Sequence, residues 1–354
     1  MRQLACLSAV ILLGLPLAQA AGQTQVIAPV AVPAPMVVPL SADAINSANM
    51  AASFAAPERP YILAPEASAE TVEPPKVTAN PAIVRAQILL DQFGASPGVI
   101  DGFDGENLRK AVIAFEVMAG LPIDGTFDTD MLARLETGQP VMGLYVITDA
   151  DQADIVASIP TDYAEKAQME FLGYTSVAEK LAERFHMDIN LLTTLNPNVS
   201  FVAGDSIVVA ITGMDRTGVV ARIEADKNLR QVRAYDAQGL LLASYPATIG
   251  SEDNPSPSGS YVVEVVAPMP NYTYNPKINF QQGENTEVLT IPPGPNGPVG
   301  SMWIALSKPT YGIHGTPEPS QIDKTGSHGC VRLTNWDAQE LAGMVAPGVT
   351  VDFL

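Results

Sequence analysis

Tyr311-Gly-Ile-His-Gly-Thr316 lies just ahead of Ser327-His-Gly-Cys-Val-Arg-Leu333, and these two stretches decide the fold and function expected for the chain. They hold two of the three histidines and one of the two cysteines in the 354-residue sequence. The other cysteine, Cys6, lies in a segment with the features of a signal peptide, so Cys330 is the only thiol expected in the mature protein. A lone thiol in an exported protein cannot form an intramolecular disulfide and is open to oxidation, so its retention indicates a function.

Cys330 has three interpretations. A cysteine can be a small buried hydrophobe, or it can join His314 and His328 as a zinc ligand, although their spacing matches none of the common structural zinc sites. It can also be a nucleophile, because a neutral imidazole within hydrogen-bond distance takes the thiol proton. Gly315 and Gly329 favour the nucleophile, since they leave room for a substrate backbone or for exposed amide donors. We therefore predict a cysteine nucleophile that needs no metal and no cofactor.

The two stretches resemble the signature of the L,D-transpeptidases with a YkuD-type catalytic domain. That signature is an upstream His-Gly followed by Ser-His-Gly-Cys, an apolar residue and Arg or Asn. This chain carries His314-Gly315-Thr316 and then Ser327-His-Gly-Cys-Val-Arg332, and residues 291–300 resemble the segment that leads into the motif. The resemblance implies a mostly β sandwich catalytic domain over residues 217–354, with strands that carry the site.

The resemblance also implies roles for the site residues. Cys330 is the nucleophile, and His314 is the general base, with the Gly315 carbonyl orienting its other ring nitrogen. His328 stays open as the base, because two residues apart on an extended segment its side chain would share a face with that of Cys330. Backbone amides around His328, Gly329 and Cys330 are candidates for an oxyanion hole.

Three further residues are predicted to bind or shape the substrate pocket. Arg332 would hold a substrate carboxylate, with a surface ion pair to Asp337 as the alternative. Ser327 and Tyr311 are expected to shape the pocket.

The reaction implied by the resemblance is peptidoglycan L,D-transpeptidation. Cys330 would attack the third residue of a tetrapeptide stem and release D-alanine. An amine of a second stem would then form a 3-3 cross-link, or an envelope protein would be anchored to the wall. Two alternatives stay open: an L,D-carboxypeptidase or endopeptidase that uses the same cysteine, and a non-catalytic wall-binding protein.

The amino-terminal region indicates export. Residues 1–20 contain a short apolar run and end in Ala18-Gln-Ala20, as a signal peptide does. No later apolar stretch is long enough to cross a bilayer, so we expect no transmembrane segment after signal removal, in a protein of the periplasm or cell envelope. With 19 basic and 38 acidic residues, the net charge of −19 argues against nucleic acid or an anionic membrane as partner.

Two small modules are expected between a tether and the catalytic domain, which makes the chain a multidomain α+β protein. Residues 21–80 are rich in Pro and Ala and predict a disordered tether, with a transient helix at residues 42–56. Residues 81–140 show apolar residues at helical spacing and predict three short helices, the third capped by Thr129 or Asp128.

The first module resembles the peptidoglycan-binding domain called PG_binding_1, and a generic helical bundle is the alternative. The resemblance rests on these residues: Gln87, Asp101-Gly102, Ala111-Val112, Phe115 and Leu121-Pro-Ile-Asp-Gly125. Glu116 stands where that family usually has Gln.

The second module, residues 160–212, resembles a βααβ LysM module, which binds glycans containing N-acetylglucosamine. Its first strand is expected near Glu170–Gly173 and its last at Ser206–Val209, and His186 is interpreted as an exposed turn residue. After it, the irregular stretch 268–299 predicts a substrate-groove wall or lid, with closure of the sandwich edge as the alternative.

Overall fold

The structure is a computed structural model that describes residues 40–55, 78–251, 254–278, 280–327 and 329–354. These residues belong to one compact unit, residues 38–354. The predicted signal peptide with Cys6, the greater part of the predicted tether, and His328 lie outside the described residues. In the ranges just given, no helix has the length and apolar character needed to span a membrane.

Two short helices open the described chain: α1, Ala42–Asn46, and α2, Met50–Phe54. Ile45 and Met50 are buried in the core of the helical region that follows. The Asn46 side chain accepts hydrogen bonds from the Val141 and Met142 amides at 2.8 and 2.9 Å. The prediction of a disordered tether is therefore wrong for residues 40–55. Burial of Ile45 and Met50 and the hydrogen bonds of the Asn46 side chain hold this segment against the helical region.

The peptidoglycan-binding-like region consists of α3, Pro81–Gln92, α4, Glu106–Ala119, and α5, Thr129–Leu135. Asp128 caps α5 by accepting from the Met131 amide at 2.8 Å. Gln87 accepts from the amides of Asp101 and Gly102, at 3.1 and 2.8 Å, and so fixes the turn between α3 and α4. Glu116 fixes the turn after α4 in the same way, through the amides of residues 124 and 125.

The second small region has the order β1, Met142–Val146, α6, Tyr163–Lys166, α7, Val177–Arg184, α8, Ile189–Leu195, and β2, Ser206–Ala210. β1 pairs with β2 in antiparallel register. The expectation of a first strand at Glu170–Gly173 is wrong. That stretch instead bonds to a loop of the catalytic domain, since Leu172 donates to the Pro293 carbonyl at 2.8 Å and accepts from the Asn296 amide at 3.0 Å. Residues 149–176, which separate β1 from α7, are called the inserted segment below.

Among its described residues, the catalytic region contains eleven strands and one α-helix. The strands are β3, Arg222–Asp226, β4, Gln231–Tyr235, β5, Leu241–Pro246, β6, Thr248–Ile249, β7, Gly259–Pro268, β8, Tyr272–Tyr274, β9, Leu289–Ile291, β10, Met302–Leu306, β11, Gly312–His314, β12, Val331–Arg332, and β13, Thr350–Phe353, and the helix is α9, Asn335–Met344. Nine of them form one continuous sheet in the order β5-β4-β3-β13-β7-β10-β11-β12-β6. β7 connects two halves of this sheet, β5-β4-β3-β13 on one side and β10-β11-β12-β6 on the other. Its first residues pair with β13 and its later residues pair with β10.

One apolar core joins the two halves of this sheet. Inward residues of β3 and β4, such as Ile223 and Val232, belong to the same buried cluster as Ile304 of β10 and Leu341 of α9. Alternation of buried and exposed residues along the strands produces this core, as half-buried strands require. The prediction of a mostly β catalytic domain is confirmed. The structure has one continuous nine-stranded sheet where a sandwich of two separate sheets was expected.

The remaining two strands, β8 and β9, form a separate hairpin. Tyr274 and Ile291 of this hairpin are fully buried against Leu172 of the inserted segment. The stretch 268–299 therefore does not extend the nine-stranded sheet, and it packs against the second small region instead.

Candidate active site

Parallel pairing of β11 with β12 brings the two predicted catalytic stretches together. His314 is in register with Arg332, and Cys330 lies immediately before β12. The Cys330 side chain is half-buried, with Sγ 3.6 Å from the Thr310 carbonyl oxygen. Burial raises the pKa of the Cys330 thiol, against the opposing effects of a backbone hydrogen bond and of Arg332. The resting thiol is consequently protonated and needs a base.

His314 is buried, with 5% of its surface exposed. Its Nδ1 lies 2.7 Å from the Gly315 carbonyl oxygen. Because a carbonyl only accepts, Nδ1 must carry the proton, and Nε2 keeps its lone pair. Burial, helped by the positive charge of Arg332, lowers the pKa of His314 to about 4. The imidazole is therefore neutral at pH 7, in the tautomer that accepts a proton at Nε2.

The two glycines of the motif are explained by different constraints, a close contact at Gly315 and a left-handed backbone at Gly329. A Cβ at Gly315 would come within 2.2 Å of Asn335 Oδ1. Gly329 has φ +101°, and a Cβ there would lie 3.0 Å from the Tyr311 ring. Gly329 thus permits the left-handed turn before the nucleophile, while Gly315 is explained by the Asn335 contact.

Ser327 holds the loop that carries the nucleophile. Its hydroxyl donates to the Cys330 carbonyl at 2.6 Å and accepts from the Gly250 amide at 2.8 Å. Ser256 adds a 2.7 Å hydrogen bond to the Gly329 carbonyl. Ser327 is only 3% exposed, and these hydrogen bonds make it a support of the loop, while its predicted part in shaping the substrate pocket stays a prediction.

Arg332 is half-buried and forms no ion pair within the described part of the chain. The alternative pairing with Asp337 is therefore not formed. Burial lowers the pKa of Arg332, while the Glu318 carboxylate and the Cys330 thiol raise it. The guanidinium lies within the electrostatic reach of the nucleophile and is available to an anion.

Of the two other histidines, the structure places only His186, and its position differs from the interpretation. His328, the alternative base and third member of the zinc hypothesis, lies outside the described residues. His186 is not an exposed turn residue: its side chain is 20% exposed and lies 3.0 Å from Asp91. Its ring also stacks on Trp336, with the centroids 5.2 Å apart. It joins three parts of the fold, α3, the second small region and α9.

Sequence reasoning missed the aromatic wall beside the nucleophile. Tyr163, in α6, packs edge-on against Tyr272 and Tyr274, with centroids 6.0 and 5.2 Å apart. Burial raises the pKa of Tyr163 to about 12, and the charge of Arg332 opposes that shift. The charge of Cys330 contributes to the raised pKa of Tyr272. Tyr163 and Tyr272 therefore interact electrostatically with Arg332 and Cys330, respectively.

Sequence reasoning also missed Asn335 and Glu183. Asn335 Nδ2 donates to Glu183 Oε2 at 2.9 Å and to the Pro295 carbonyl at 3.2 Å, and its Oδ1 accepts from the Ser301 amide at 3.0 Å. Asn335 follows the Thr334 cap of α9, a position with no signal of its own. Burial raises the pKa of Glu183 to about 8.

Comparison with known proteins identifies two regions of the chain. Residues 220–352 match the L,D-transpeptidase catalytic domain, YkuD, and residues 79–135 match the putative peptidoglycan binding domain, PG_binding_1. A putative L,D-transpeptidase YkuD of Bacillus licheniformis is 33% identical over 177 residues, which are 49% of this chain and 90% of the relative. The Bacillus subtilis protein of the same description is 29% identical over 173 residues, 48% and 89% of the two chains.

Solved structures give a weaker likeness. The L,D-transpeptidase from Mycobacterium smegmatis aligns with 19% identity and a TM-score of 0.30, over 44% of this chain and 64% of the other. The family match and the Bacillus relatives carry the assignment. The chain belongs to the L,D-transpeptidase family with a YkuD-type catalytic domain, and a peptidoglycan-binding domain of the PG_binding_1 type precedes that domain.

Proposed function

We propose that Cys330 catalyses acyl transfer on peptidoglycan tetrapeptide stems. The observation that carries this proposal is the placement, on adjacent paired strands, of a half-buried thiol just before β12 and a neutral imidazole at the end of β11, whose Nδ1 proton is bound to the Gly315 carbonyl. The chain is an enzyme of the L,D-transpeptidase family, and its peptidoglycan-binding domain indicates where it finds its substrate.

The first half-reaction forms a thioester. His314 Nε2 takes the proton from Sγ as the sulfur attacks the carbonyl of the third stem residue. The amides of Gly329 and Cys330 stabilise the oxyanion, where loss of one donor typically costs about 10² to 10³ in rate. The imidazolium then gives its proton to the departing amine, and D-alanine leaves.

The second half-reaction releases the acyl group. An acceptor amine attacks the thioester carbonyl, His314 takes the amine proton, and the proton returns to sulfur as the C–S bond breaks. An amine of a second stem gives a 3-3 cross-link, and an amine of an envelope protein anchors that protein to the wall. Water as acceptor gives the L,D-carboxypeptidase or endopeptidase reaction, so positioning of the amine decides the product.

The regions outside the catalytic domain support action at the cell wall. We propose that the second small region, in which β1 pairs with β2 and α6, α7 and α8 lie between them in the chain, is a LysM-like module that binds glycan. We further propose export by residues 1–20 and action in the periplasm, in agreement with the extracytoplasmic location of peptidoglycan.

Intact-mass spectrometry tests the reaction. The mature protein and its Cys330→Ala variant are incubated first with a carbapenem and then with a disaccharide tetrapeptide. A single adduct on the wild type that is missing from the variant is expected, followed by a cross-linked dimer from the tetrapeptide. A trimmed tripeptide would assign the hydrolytic reaction, and neither adduct nor product would leave a wall-binding protein.

A further inference from the structure

Glu183 is a buried carboxyl group without a cation. It lies on α7, outside the catalytic match, with 8% of its surface exposed, and it forms no ion pair among the residues that the structure describes. Its side-chain partners are Asn335 Nδ2, at 2.9 and 3.2 Å from the two carboxylate oxygens, and the Tyr174 hydroxyl at 3.4 Å. Burying a carboxyl group is costly, so this position carries a price that packing alone does not explain.

The Asn335 amide is wedged between two segments of the catalytic domain. Its Oδ1 accepts from the Ser301 amide at 3.0 Å, and a Cβ on Gly300 or Gly315 would come within 2.1 or 2.2 Å of that oxygen. The other end, Nδ2, meets only acceptors: Glu183 and the Pro295 carbonyl. The amide therefore has one permitted orientation, with oxygen toward the glycines and nitrogen toward Glu183.

The Gly315 peptide connects this wedge to the catalytic base. Its nitrogen donates to the Met302 carbonyl at 3.2 Å, and its carbonyl accepts the Nδ1 proton of His314 at 2.7 Å. One face of Gly315 lies against Asn335, so a rotation of that amide would displace the carbonyl that sets the His314 tautomer.

We propose that Glu183 is a positioning residue: from a helix outside the catalytic domain, it fixes the Asn335 amide and thereby the Gly315 carbonyl that orients His314. The inference rests on the proposed role of His314 as general base. It makes the second small region part of the catalytic apparatus, because that region supplies the acceptor on which the orientation of the base depends.

Glu183→Met separates positioning from packing. Methionine has similar length and no acceptor that could replace the carboxylate, and an apolar residue removes the burial penalty, so the thermal midpoint is expected to stay at or above that of the wild type. Single-turnover acylation is expected to slow by about 10-fold to 100-fold with KM changed less than about two-fold, because a small misplacement of a catalytic group has this effect. Glu183→Gln keeps an acceptor oxygen and is expected to restore the rate to within about three-fold of the wild type.

Glu179→Met is the matched control. Glu179 lies one turn earlier on α7 and also contacts the catalytic domain, but its partners are Asn296, at 2.7 Å, and the amide and hydroxyl of Thr175, and it forms no hydrogen bond with Asn335. Its acylation rate is expected to stay within about three-fold of the wild type. Glu183→Leu, which also lacks a hydrogen-bond acceptor, tests the same link if Glu183→Met does not fold.

Alkylation of Cys330 by iodoacetamide between pH 5 and 9 gives a readout that needs no peptidoglycan. Glu183→Met is expected to slow alkylation at neutral pH by the factor seen in acylation, and Glu179→Met is not. Wild-type acylation and alkylation in a folded Glu183→Met protein would overturn the proposal, as would equal losses in the Met and Gln variants. Absence of any Cys330-dependent turnover in the wild type would instead refute the proposed function, while alkylation would still decide the role of Glu183.

Discussion

Lys110 and Asp323 form a buried ion pair between the peptidoglycan-binding-like region and the loop that precedes the nucleophile. Lys110 Nζ on α4 lies 2.6 Å from Asp323 Oδ2, and the two side chains are 8% and 7% exposed. Asp323 forms a second ion pair with Arg230, whose guanidinium lies 3.0 Å from Asp323 Oδ1 and whose side chain is 57% exposed. Lys110→Met removes the buried cation and leaves the buried carboxylate with its exposed partner alone.

The magnitude follows from the burial of the pair. Removing one member of a buried pair typically costs about 3–5 kcal/mol, because the remaining charge is left without compensation. Arg230 offsets part of that cost for Asp323, so we expect a loss of about 2–3 kcal/mol in the free energy of unfolding. For a protein of this size the loss corresponds to a fall of roughly 3–5 °C in the thermal midpoint. Replacing both members, in Lys110→Met with Asp323→Asn, is expected to recover most of it.

Denaturant and thermal unfolding of the mature chain measure these effects. Asp154→Asn is the control, because its partner Lys180 is 3.9 Å away and Asp154 is 62% exposed. Exposed pairs contribute at most about 1 kcal/mol, and Asn tolerates the φ of +63° at this position. A Lys110→Met protein as stable as the Asp154→Asn protein, or a double variant as unstable as Lys110→Met, would refute the reasoning.

Three further predictions concern the site and its surroundings. Because the pKa of His314 is about 4, the imidazole stays neutral above pH 5, and the rate of Cys330 acylation is expected to fall only near pH 4. His314→Gln is expected to remove this pH dependence and to slow acylation by at least about 10². Gly315→Ala is expected to lower both the thermal midpoint and the acylation rate, because its Cβ meets Asn335 at 2.2 Å, whereas Gly343→Ala, in open space on α9, should stabilise the protein by about 0.5–1 kcal/mol. Burial raises the pKa of Asp337 from 3.8 to about 8, so the folded state binds the proton more tightly than the unfolded state. The contribution of Asp337 to the free energy of unfolding is therefore expected to fall between pH 4 and 8, by at most about 1.4 kcal/mol per pH unit. Asp337→Asn should reduce this slope in unfolding measurements, and an unchanged slope would contradict the assignment.

Local pattern predicted the elements whose apolar residues face a core. The helices at Pro81–Gln92 and Glu106–Ala119, the strand at Ser206–Ala210 and the β-rich catalytic region all follow from such patterns. The strand Met142–Val146 was not predicted, because Leu144 is 76% exposed and the apolar residues of this strand do not share one buried face. Its pairing partner is also distant in sequence, and the intervening inserted segment hides the relation.

The candidate site shows the same division. Cys330, His314 and Arg332 could be chosen from the sequence, because a short motif holds the nucleophile, a nearby histidine and a cation. Glu183 and Asn335 could not, since their importance arises from contacts among three segments that are remote along the chain. Glu183 sits among the charged residues of an ordinary amphipathic helix, and only the fold reveals that it is buried.

The docking of the inserted segment bears on how this enzyme can be divided or recombined. The catalytic match begins at residue 220, yet Tyr274 and Ile291 within it are buried in a cluster with Leu172 from outside it. A gene fragment that encoded only the matched domain would present these side chains to water and yield a product prone to self-association. The heritable unit is therefore longer than the domain that defines the family: an exchange of catalytic domains between relatives would have to carry residues 149–176 along with them.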